Sequence, residues 1–471
     1  MKILPSKLNG TRGSTLFIIL IITGLVGFTL AAYLTLLRSQ NTSTMRSQAW
    51  NSTVPVVEAG VEDALTHLNN HGTTNLNCDG WTQSGTIYYK QWAVGGNMYF
   101  VTISNFIAGA TNNFPVVESR GYVDLPIMAS TAAGQCFLAS VPGGATTGTN
   151  TLGRGVRCGT RPEYLFAKGV VAKGQIDLNG NNVTSDSFDS TDPAHNTGGL
   201  YDAAKRKAGG DVATNSGLTN SLSVGNANVW GHVSTGPGGS VKIGPNGSVG
   251  DMAWHLASTN GIEPGFSTDD MNVDFPDVKA PFAGGAFGIG GGPDYTLNGG
   301  NYQAASLSVS GSHKVMITGN VVLYVTGNVS LSGQASIEIA SGASLKLYVG
   351  GASASLSGNG VINDTGNAFN FSYYGLPANT SLSLGGNSSF VGTIYAPSAA
   401  FAMNGGGAGT YFDFTGASIS KTVQFNGHFN FHYDEALGKM GPPRGFVVTS
   451  WNEMTPDEVK TLPAGLTLTL Q

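Results

Sequence analysis

The chain has 471 residues, a formal net charge of -5 and a charged fraction of only 11%. Its length exceeds what one compact core usually organises, so more than one domain is expected. The acidic balance provides no basic field to attract nucleic acid, and the 69 glycines do not recur at every third position, which excludes collagen. A polar surface built from Ser, Thr and Asn is typical of extracytoplasmic β-rich proteins.

An apolar segment near the N-terminus predicts one membrane-spanning helix. The segment 16–37 contains no charged residue, and Lys2, Lys7 and Arg12 are the only charged side chains before Arg38. At about 1.5 Å per residue it spans a hydrocarbon core of about 30 Å. The basic residues favour a cytoplasmic N-terminus, so the rest of the chain should lie outside the cytosol. A signal peptide is the alternative, but its apolar part is usually about 7–15 residues long.

The helical pattern continues beyond the membrane segment. Apolar residues recur at helical spacing from Val57 to Leu68, with Glu58, Glu62 and Asp63 on the other side. The sequence therefore predicts a long stalk helix, with Pro55 as the place for a kink.

The N-terminal pattern resembles a known family. A basic leader ends at Arg12-Gly13, the sequence Ser-Thr-Leu-Phe-Ile-Ile-Leu-Ile-Ile follows, and Val-Glu-Ala-Gly-Val-Glu-Asp-Ala-Leu occupies 57–65. These features resemble the N-termini of PilX-type type IV pilus assembly proteins and related pseudopilins. The resemblance implies prepilin-peptidase cleavage between Gly13 and Ser14, after which the mature helix packs into a pilus or pilus tip. Unlike most pilins, this chain has Ser14 rather than Phe at the first mature position and Ile18 rather than Glu at the fifth.

Short strand-like runs follow the stalk, at 87–89, 98–103 and 116–123, each broken by Gly or Asn. A Gly- and Thr-rich segment at 142–150 indicates a linker or long loop. A helix followed by a small sheet fits the pseudopilin pattern.

Three cysteines are present, Cys78, Cys136 and Cys158. In an oxidising compartment we favour a Cys136–Cys158 disulfide, which closes a loop of about 20 residues and is worth about 3 kcal/mol. Pairing of Cys78 with either of the others is the alternative. No C-x-x-C spacing occurs, so a cysteine-based metal site is not predicted.

Beyond about Gly169, short alternating apolar runs recur and end at Gly or Asn-Gly. The clearest stretch is 315–431, where glycines recur about every 6–9 residues, at Gly319, Gly327, Gly333, Gly342, Gly350 and Gly358. Alternation points one set of side chains inward, and Asn and Gly supply the left-handed backbone of sharp corners. The pattern favours coils stacked as a parallel β-solenoid, with a β-sandwich or meander as the alternative.

This part of the chain also carries a resemblance. Three features are its repeated phrases of the form V-x-G-N-V-x-L-S-G, the element Gly-Thr-Ile-Tyr-Ala-Pro at 392–397 and the sequence Phe-His-Tyr-Asp-Glu-Ala-Leu at 431–437. Together they resemble a domain of unknown function often found behind PilX-type N-termini. The similarity spans most of residues 160–451 and implies the solenoid fold without any known activity.

The expected fold class is mainly β, with an N-terminal transmembrane and stalk α-helix, a small α+β pilin-like region and a parallel β-solenoid (β-helix). The expected divisions are a basic leader 1–13, the helix 14–75, a pilin-like region 76–165, a solenoid 166–437 with an irregular insertion at about 252–302, and a tail 438–471. The tail should add a strand or cap to the last coil, because an open end needs covering.

Few residues suggest chemistry. His428 and His432 are weak metal candidates, because a strand would place them on one side but supplies no further ligand. Two acidic groups lack the spacing of a Ca²⁺ loop or of a catalytic carboxylate pair and are expected in solvated loops and helix caps; they are Asp186, Asp189 and Asp192, and Asp269, Asp270, Asp274 and Asp277. No catalytic residue, metal or cofactor is therefore predicted.

Together these features predict a non-enzymatic bacterial cell-surface protein that spans the cytoplasmic membrane once, with its bulk periplasmic or extracellular. A minor pilin-like assembly or tip component of a surface pilus is favoured, whose partners are the membrane and other pilin-like subunits, not nucleic acid. The alternatives are a glycan-binding adhesin, for which Trp230, Trp254, Tyr373 and Tyr374 are candidate sugar-stacking residues, and, least favoured, a carbohydrate-active enzyme.

Overall fold

The structure is a computed structural model that describes residues 14–71, 76–95, 97–107, 114–124, 151–178, 183–282, 287–288, 294–386, 389–405, 412–440 and 443–463. The chain divides into two compact units. We call Met1–Pro162 with Gly445–Gln471 the helix–sheet unit, and Glu163–Arg444 the ladder unit. The ladder unit is thus an insertion in the chain of the helix–sheet unit.

One long apolar helix begins the described chain. It runs from Ser14 to His71 and passes through Pro55 without interruption. Over the described residues the helices are α1 Ser14–His71, α2 Met252–Leu256, α3 Leu437–Met440 and α4 Pro456–Lys460, with 3₁₀ turns at Pro193–His195, Ala203–Lys205 and Ala368–Asn370.

The helix–sheet unit contains one six-stranded sheet with the order β1-β2-β3-β4-β5-β33. Its strands are β1 Thr82–Ser84, β2 Ile87–Val94, β3 Asn97–Ser104, β4 Val116–Asp124, β5 Thr151–Tyr164 and β33 Pro443–Glu453. Strands β1 to β5 pair antiparallel in chain order. The tail strand β33 lies beside β5, which corrects the expectation that the tail would add a strand to the last coil.

The second half of α1 packs on this sheet. Val57, Val61 and Leu68 of the helix are buried in one cluster with Trp81 and Val117. Because the expected apolar stripe meets the apolar face of the sheet, burial of this stripe holds the helix in place.

Two glycines let the helix and sheet approach closely. A Cβ at Gly60 would lie 2.3 Å from Ser119 Oγ, and one at Gly121 would lie 2.8 Å from Val57 Cγ2. At this contact Ser119 Oγ donates a hydrogen bond of 2.8 Å to Val57 O. The absence of a side chain is therefore what permits the contact.

Parallel pairing dominates the ladder unit. Its strands are β6 Val170–Ala172, β7 Ile176–Asp177, β8 Thr184–Phe188, β9 Val212–Thr214, β10 Leu222–Gly225, β11 Asn228–Trp230, β12 Val233–Ser234, β13 Val241–Ile243, β14 Ser248–Gly250, β15 Gly261–Ile262, β16 Ser267–Thr268, β17 Phe287–Gly288, β18 Tyr295–Leu297, β19 Gly300–Ala304, β20 Leu307–Val309, β21 Lys314–Ile317, β22 Asn320–Val325, β23 Val329–Leu331, β24 Ser336–Ile339, β25 Ser344–Val349, β26 Ser353–Leu356, β27 Gly360–Asn363, β28 Phe371–Gly375, β29 Ser381–Gly386, β30 Phe390–Gly405, β31 Phe412–Gly427 and β32 Phe429–Asp434.

Each strand from β18 to β26 pairs with the strand three places later. The three ladders are β18-β21-β24-β27, β19-β22-β25-β28 and β20-β23-β26-β29. Val321 lies opposite Leu345, and Leu345 opposite Phe371, so paired residues are 24 and 26 positions apart. The glycine spacing in the sequence therefore marks single strands and not whole repeats.

The core of this unit is built from columns of inward side chains. Leu323, Leu347 and Tyr373 lie at matching positions of β22, β25 and β28, and all three are fully buried. Strand β22 alternates buried and more exposed residues along its length, as a strand with one covered face requires.

The two repetitive blocks form one continuous set of ladders. Strand β31 pairs with β6 and β7, and β32 pairs with β8. The early strands then continue as β6-β9-β12-β16 and β8-β11-β14-β15. The first and last strands of the unit are thus neighbours in the middle of the stack.

Residues 269–282, in the predicted irregular insertion, form a strap across the ladders. Asn215 Nδ2 donates to Val273 O at 2.5 Å, Tyr395 Oη donates to Pro276 O at 2.6 Å, and the Phe282 ring meets Tyr324 edge-on. The strap therefore joins residues next to β9, in β30 and in β22.

The corners use glycine for two reasons. Gly333 has φ of +70°, whereas a Cβ at Gly319 would lie 2.4 Å from Asn298 O of the neighbouring turn. Asparagine was expected to supply left-handed backbone at the corners, but Asn320 instead uses its side chain: its Oδ1 accepts a hydrogen bond from Ser344 Oγ at 2.8 Å. Among the described residues of the ladder unit, Asn220 alone is an asparagine with positive φ.

Candidate functional site

The first half of α1 exposes a continuous apolar surface. Its large side chains from Leu16 to Leu36 are at least half exposed, with Leu16 at 76% and Ile18 at 50%. This helix is long and apolar enough to cross a membrane by length and composition.

The hydroxyl groups within this segment are satisfied by the helix itself. Thr23, Thr29 and Thr35 each donate to a backbone carbonyl three or four residues earlier, at 2.8–3.0 Å. Because bilayer hydrocarbon offers no hydrogen-bond partner, these internal bonds lower the cost of placing the hydroxyls there. Ser14 is the first described helical residue, and Gly13 lies outside the described residues, so the cleavage position stays a prediction.

C-terminal to the apolar segment, a polar contact joins α1 to the sheet. Asp63 Oδ2 lies 2.9 Å from Lys90 Nζ and accepts from Tyr99 Oη at 2.7 Å. Burial, followed by the bonded carboxylate, raises the pKa of Tyr99. Asp63 therefore faces the sheet and not open solvent, unlike the expectation for the acidic side of the stalk.

The ladder unit contains a buried charge cluster around His432. His432 Nδ1 lies 2.6 Å from Asp186 Oδ1, and Nε2 lies 3.8 Å from Asp413 Oδ1. The Tyr201 ring stacks on the imidazole at 3.6 Å between centroids, and Tyr201 Oη donates to Asp186 Oδ2 at 2.7 Å. Arg206 Nη1 lies 3.7 Å from the same oxygen.

Neighbouring strands bring these groups together. His432 on β32 lies directly opposite Asp186 on β8, and β32 also pairs with β31, which carries Asp413. Burial alone would lower the pKa of His432, but the hydrogen bonds with the two carboxylates raise it overall. The hydrogen bond with His432 is the main cause that lowers the pKa of Asp413. The cluster is therefore an ion-paired connection between neighbouring strands.

The acidic loop 186–192 is distributed over three different contacts. Asp186 bonds His432, Asp189 Oδ2 lies 2.5 Å from Lys439 Nζ, and Asp192 caps a 3₁₀ turn by accepting from Ala194 N at 3.0 Å. Burial would raise the pKa of Asp189, but the bonds from Lys439 and Thr191 lower it to about 2. Asp192 therefore agrees with the expectation of a cap, whereas Asp186, on β8, and Asp189 are buried and ion-paired, which corrects the expectation that they lie in a solvated loop.

The second acidic group and the histidine pair do not form a shared site among the described residues. Asp269, Asp270, Asp274 and Asp277 are exposed along the strap. His428 is half-buried, and it shares no group of three ligating side chains with His432 over the described residues. The weak metal prediction for this pair therefore stays a prediction.

The candidate sugar-stacking residues are largely covered. Tyr373 is fully buried and donates to Asn379 Oδ1 at 2.9 Å. Trp230 stacks against His255 at 4.2 Å and lies under the Arg206 guanidinium at 5.0 Å. Tyr374 stacks on Tyr348 at 4.6 Å. These rings build the wall of the ladders, which leaves them little open face for a sugar.

The predicted Cys136–Cys158 disulfide involves one described residue and one that lies outside the described residues. Cys158 is buried in the core between α1 and the sheet, and burial raises the pKa of its thiol to about 11. Cys136 lies outside the described residues, so its pairing with Cys158 stays a prediction.

One group was missed from the sequence. His67, His71, Cys78 and Asp79 come together at the end of α1. The signal was a pair of histidines four positions apart on a helix, followed shortly by Cys-Asp. For Cys78 the sequence had suggested only a disulfide, because no C-x-x-C spacing occurs.

One protein-family model matches part of the chain. The family model described as Domain of unknown function (DUF7305) matches residues 283–440, about a third of the chain and all within the ladder unit. No curated protein matches the chain.

Among solved structures, the chain is similar to one described as the crystal structure of competence-associated pilin ComZ from Thermus thermophilus. The two are 11% identical, the similarity covers 86% of this chain and 98% of that chain, and the TM-score is 0.29. A TM-score of this size does not establish a shared fold.

Proposed function

We propose that the protein is a non-enzymatic, membrane-anchored surface protein that joins a pilus or pseudopilus as a minor, pilin-like assembly or tip component. The observation that carries the proposal is the contrast along α1. Its first half exposes large apolar side chains, whereas Val57, Val61 and Ala64 of its second half are buried. A helix of this kind has one half committed to its own domain and one half available to lipid or to other helices.

The proposed assembly uses the exposed half in two environments. In the membrane, α1 spans the bilayer once with its N-terminus in the cytoplasm, following the basic residues at positions 2, 7 and 12. In the filament, the same surface packs on equivalent helices of other pilin-like subunits. Both environments cover the apolar side chains, so exchange between them removes no favourable burial.

We infer that the ladder unit is a parallel β-solenoid. The pairing of each strand with the third following strand supports this, because three ladders with a common direction are what stacked three-sided coils produce. The backbone hydrogen bonds then run from turn to turn over the whole stack. Such a unit suits a rigid, protease-resistant surface module.

The N-terminus of the mature protein tests the proposal. Surface filaments and membranes are separated from cells expressing the full chain, and the N-terminal peptide is identified by mass spectrometry. We expect the filament-associated form to begin at Ser14. Gly13→Leu should abolish cleavage and filament association, whereas Gly10→Leu, a matched change in the same leader, should preserve both. Filament-associated protein that retains Met1 would contradict prepilin processing.

Deletion of the gene supplies an independent readout. Loss of surface pili, restored by the natural chain but not by Gly13→Leu, is expected of an assembly component. Normal pili in the deletion strain, together with absence of the protein from the pili of the natural strain, would instead show that the chain is a membrane-anchored surface protein outside the pilus.

A further inference from the structure

Four side chains with metal-binding atoms converge where α1 ends. They are His67, His71, Cys78 and Asp79, and their candidate ligand atoms all lie within 4.8 Å of one another. Over the described part of the chain, no other group of three or more His, Cys, Asp or Glu side chains is gathered in this way.

Local structure explains the convergence. His67 and His71 are four residues apart on α1 and therefore share a face of the helix. After the helix, Trp81 N donates to Cys78 O at 2.9 Å, which closes a tight turn in which Asp79 has φ of +53°. The turn directs Asp79 to His71, so that His71 Nε2 lies 2.8 Å from Asp79 Oδ2.

His67 is held in one orientation. Its Nε2 lies 2.8 Å from Leu76 O, and a carbonyl oxygen only accepts, so Nε2 carries the proton. The neutral ring therefore has its lone pair on Nδ1. The Trp81 ring stacks on the imidazole at 4.9 Å with an interplanar angle of 6°. A ligating histidine commonly donates its other N–H to a carbonyl or carboxylate in this manner.

We propose that His67, His71, Cys78 and Asp79 bind one Zn²⁺ ion as a closed, structural site. Two imidazole nitrogens, a thiolate and a carboxylate are donors that Zn²⁺ uses, and four protein ligands complete its tetrahedral shell. Bond lengths of about 2.0–2.3 Å place tetrahedral ligands about 3.3–3.8 Å apart. Movements of about 1 Å by the four side chains would reach that geometry.

Binding changes the contacts in a defined way. The Cys78 Sγ–H bond breaks, its proton goes to solvent and a Zn–S bond forms. The hydrogen bond between His71 and Asp79 is replaced by a bond from each residue to the metal. The ion would then tie the end of α1 to the turn before β1.

Zinc titration of the full chain in detergent tests this site. After chelation and reduction, the protein is titrated with ZnCl₂, and bound metal is counted by mass spectrometry. The same protein with Co²⁺ reports thiolate ligation through its charge-transfer absorption. We expect one equivalent of zinc, a sulfur-to-cobalt absorption band and a higher melting temperature. Cys78→Ser should remove the cobalt band and weaken zinc binding about 100-fold or more.

Two further variants separate ligation from folding. Asp79→Asn keeps a residue that tolerates positive φ, so the turn should survive while zinc affinity falls about 10-fold or more. The double variant His313→Asn, Asp294→Asn removes an exposed His–Asp pair at 3.6 Å that has no cysteine, and it should bind zinc normally.

The same circular dichroism spectrum for Asp79→Asn and the natural chain without metal would show that folding is intact. Zinc binding that is absent from the natural chain, or unchanged in both Cys78→Ser and Asp79→Asn, would overturn the site. So would peptide mapping that finds Cys78 in a disulfide with Cys136 or Cys158 in the protein isolated without reductant.

Discussion

The two units use glycine at close contacts for different purposes. In the helix–sheet unit, Gly60 and Gly121 let one helix approach one sheet, and the atom that an added Cβ would meet first is a side-chain atom in both cases, Ser119 Oγ or Val57 Cγ2. In the ladder unit, glycines such as Gly319 and Gly351 lie against the backbone of the neighbouring turn. A side chain can rotate away from a new methyl group, but a hydrogen-bonded backbone in a stack cannot. The ladder unit should therefore tolerate glycine substitution less well.

The most damaging single change should be Gly416→Ala. A Cβ there would lie 1.8 Å from Gly392 O, and Gly416 has φ of +139°. Backbone strain and overpacking together should lower the free energy of unfolding by about 4 kcal/mol. Thermal unfolding combined with hydrogen exchange of β30 and β31 measures the effect.

Gly342→Ala is the matched control for this substitution. Gly342 has φ of +79°, but a Cβ there meets nothing within 4 Å. It should cost only the strain, about 1 kcal/mol. Equal effects of the two substitutions would show that backbone conformation, and not contact between turns, sets the cost.

The second largest effect concerns the charge cluster around His432 and Asp186, which are buried in the ladder unit. His432→Gln should destabilise the ladder unit by about 3 kcal/mol near pH 6, because Asp186 would be left buried without its imidazolium partner. His313→Gln, at an exposed histidine of the same unit, should change stability by less than about 0.5 kcal/mol.

The destabilisation caused by His432→Gln should depend on pH. The pKa of His432 is raised in the folded protein, so its stabilisation is complete below the unfolded pKa of about 6.5. It is lost as pH rises through the folded pKa. The difference between the natural chain and His432→Gln should therefore shrink from pH 6 to pH 9, in chemical denaturation followed at each pH. A difference that grows over this range would contradict the assigned ion pair.

A third, smaller effect should arise at the contact between α1 and its sheet. Gly60→Ala places a methyl group against Ser119 Oγ and should cost about 2 kcal/mol, partly offset by better helix propensity. Ser119→Ala removes the hydroxyl and its bond to Val57 O, at about 1 kcal/mol. The double variant should be more stable than the sum of the two changes predicts, because the oxygen that clashes is gone. Additive losses, measured by denaturant unfolding, would show that the clash is with another part of the sheet.

Local patterns predicted the elements of both units. The apolar helix followed from a charge-free segment, and the mainly β, parallel character of the later chain followed from alternation and glycine spacing; both are confirmed. The positions of strands β2, β3 and β4 were also close to the predicted runs, because Gly and Asn interrupt these runs clearly.

Contacts between distant parts of the sequence could not be predicted. Asp186 and His432 are 246 positions apart, and nothing local shows that the first and last strands of the ladder unit are neighbours. The tail strand β33 joins β5 for the same reason, since the chain returns to its first sheet after an insertion of the whole ladder unit. The site at His67 and Cys78 was local enough to find, but a helix and a turn must both form before its four ligands meet.

The smallest effects should come from ion pairs between strands or between helix and strand. Lys314 Nζ on β21 lies 3.2 Å from Glu338 Oε2 on β24, with side chains 47% and 21% exposed. Lys90 on β2 pairs with Asp63 of α1 with side chains 15% and 23% exposed, and Tyr99 donates to the same carboxylate. Lys314→Gln should cost at most about 0.5 kcal/mol, and Lys90→Gln about 1 kcal/mol.

Salt distinguishes these two pairs. At 1 M salt the Debye length is about 3 Å, so the cost of Lys314→Gln should disappear, whereas that of the less exposed Lys90→Gln should persist in part. Denaturant unfolding at low and high salt measures both, with Lys279→Gln, in the strap, as a surface control. A cost above about 1 kcal/mol for Lys314→Gln would mean that charges between turns contribute substantially to the ladder unit. A negligible cost would leave its backbone ladders, its inward apolar columns and the buried His432 cluster as the interactions that hold one turn on the next.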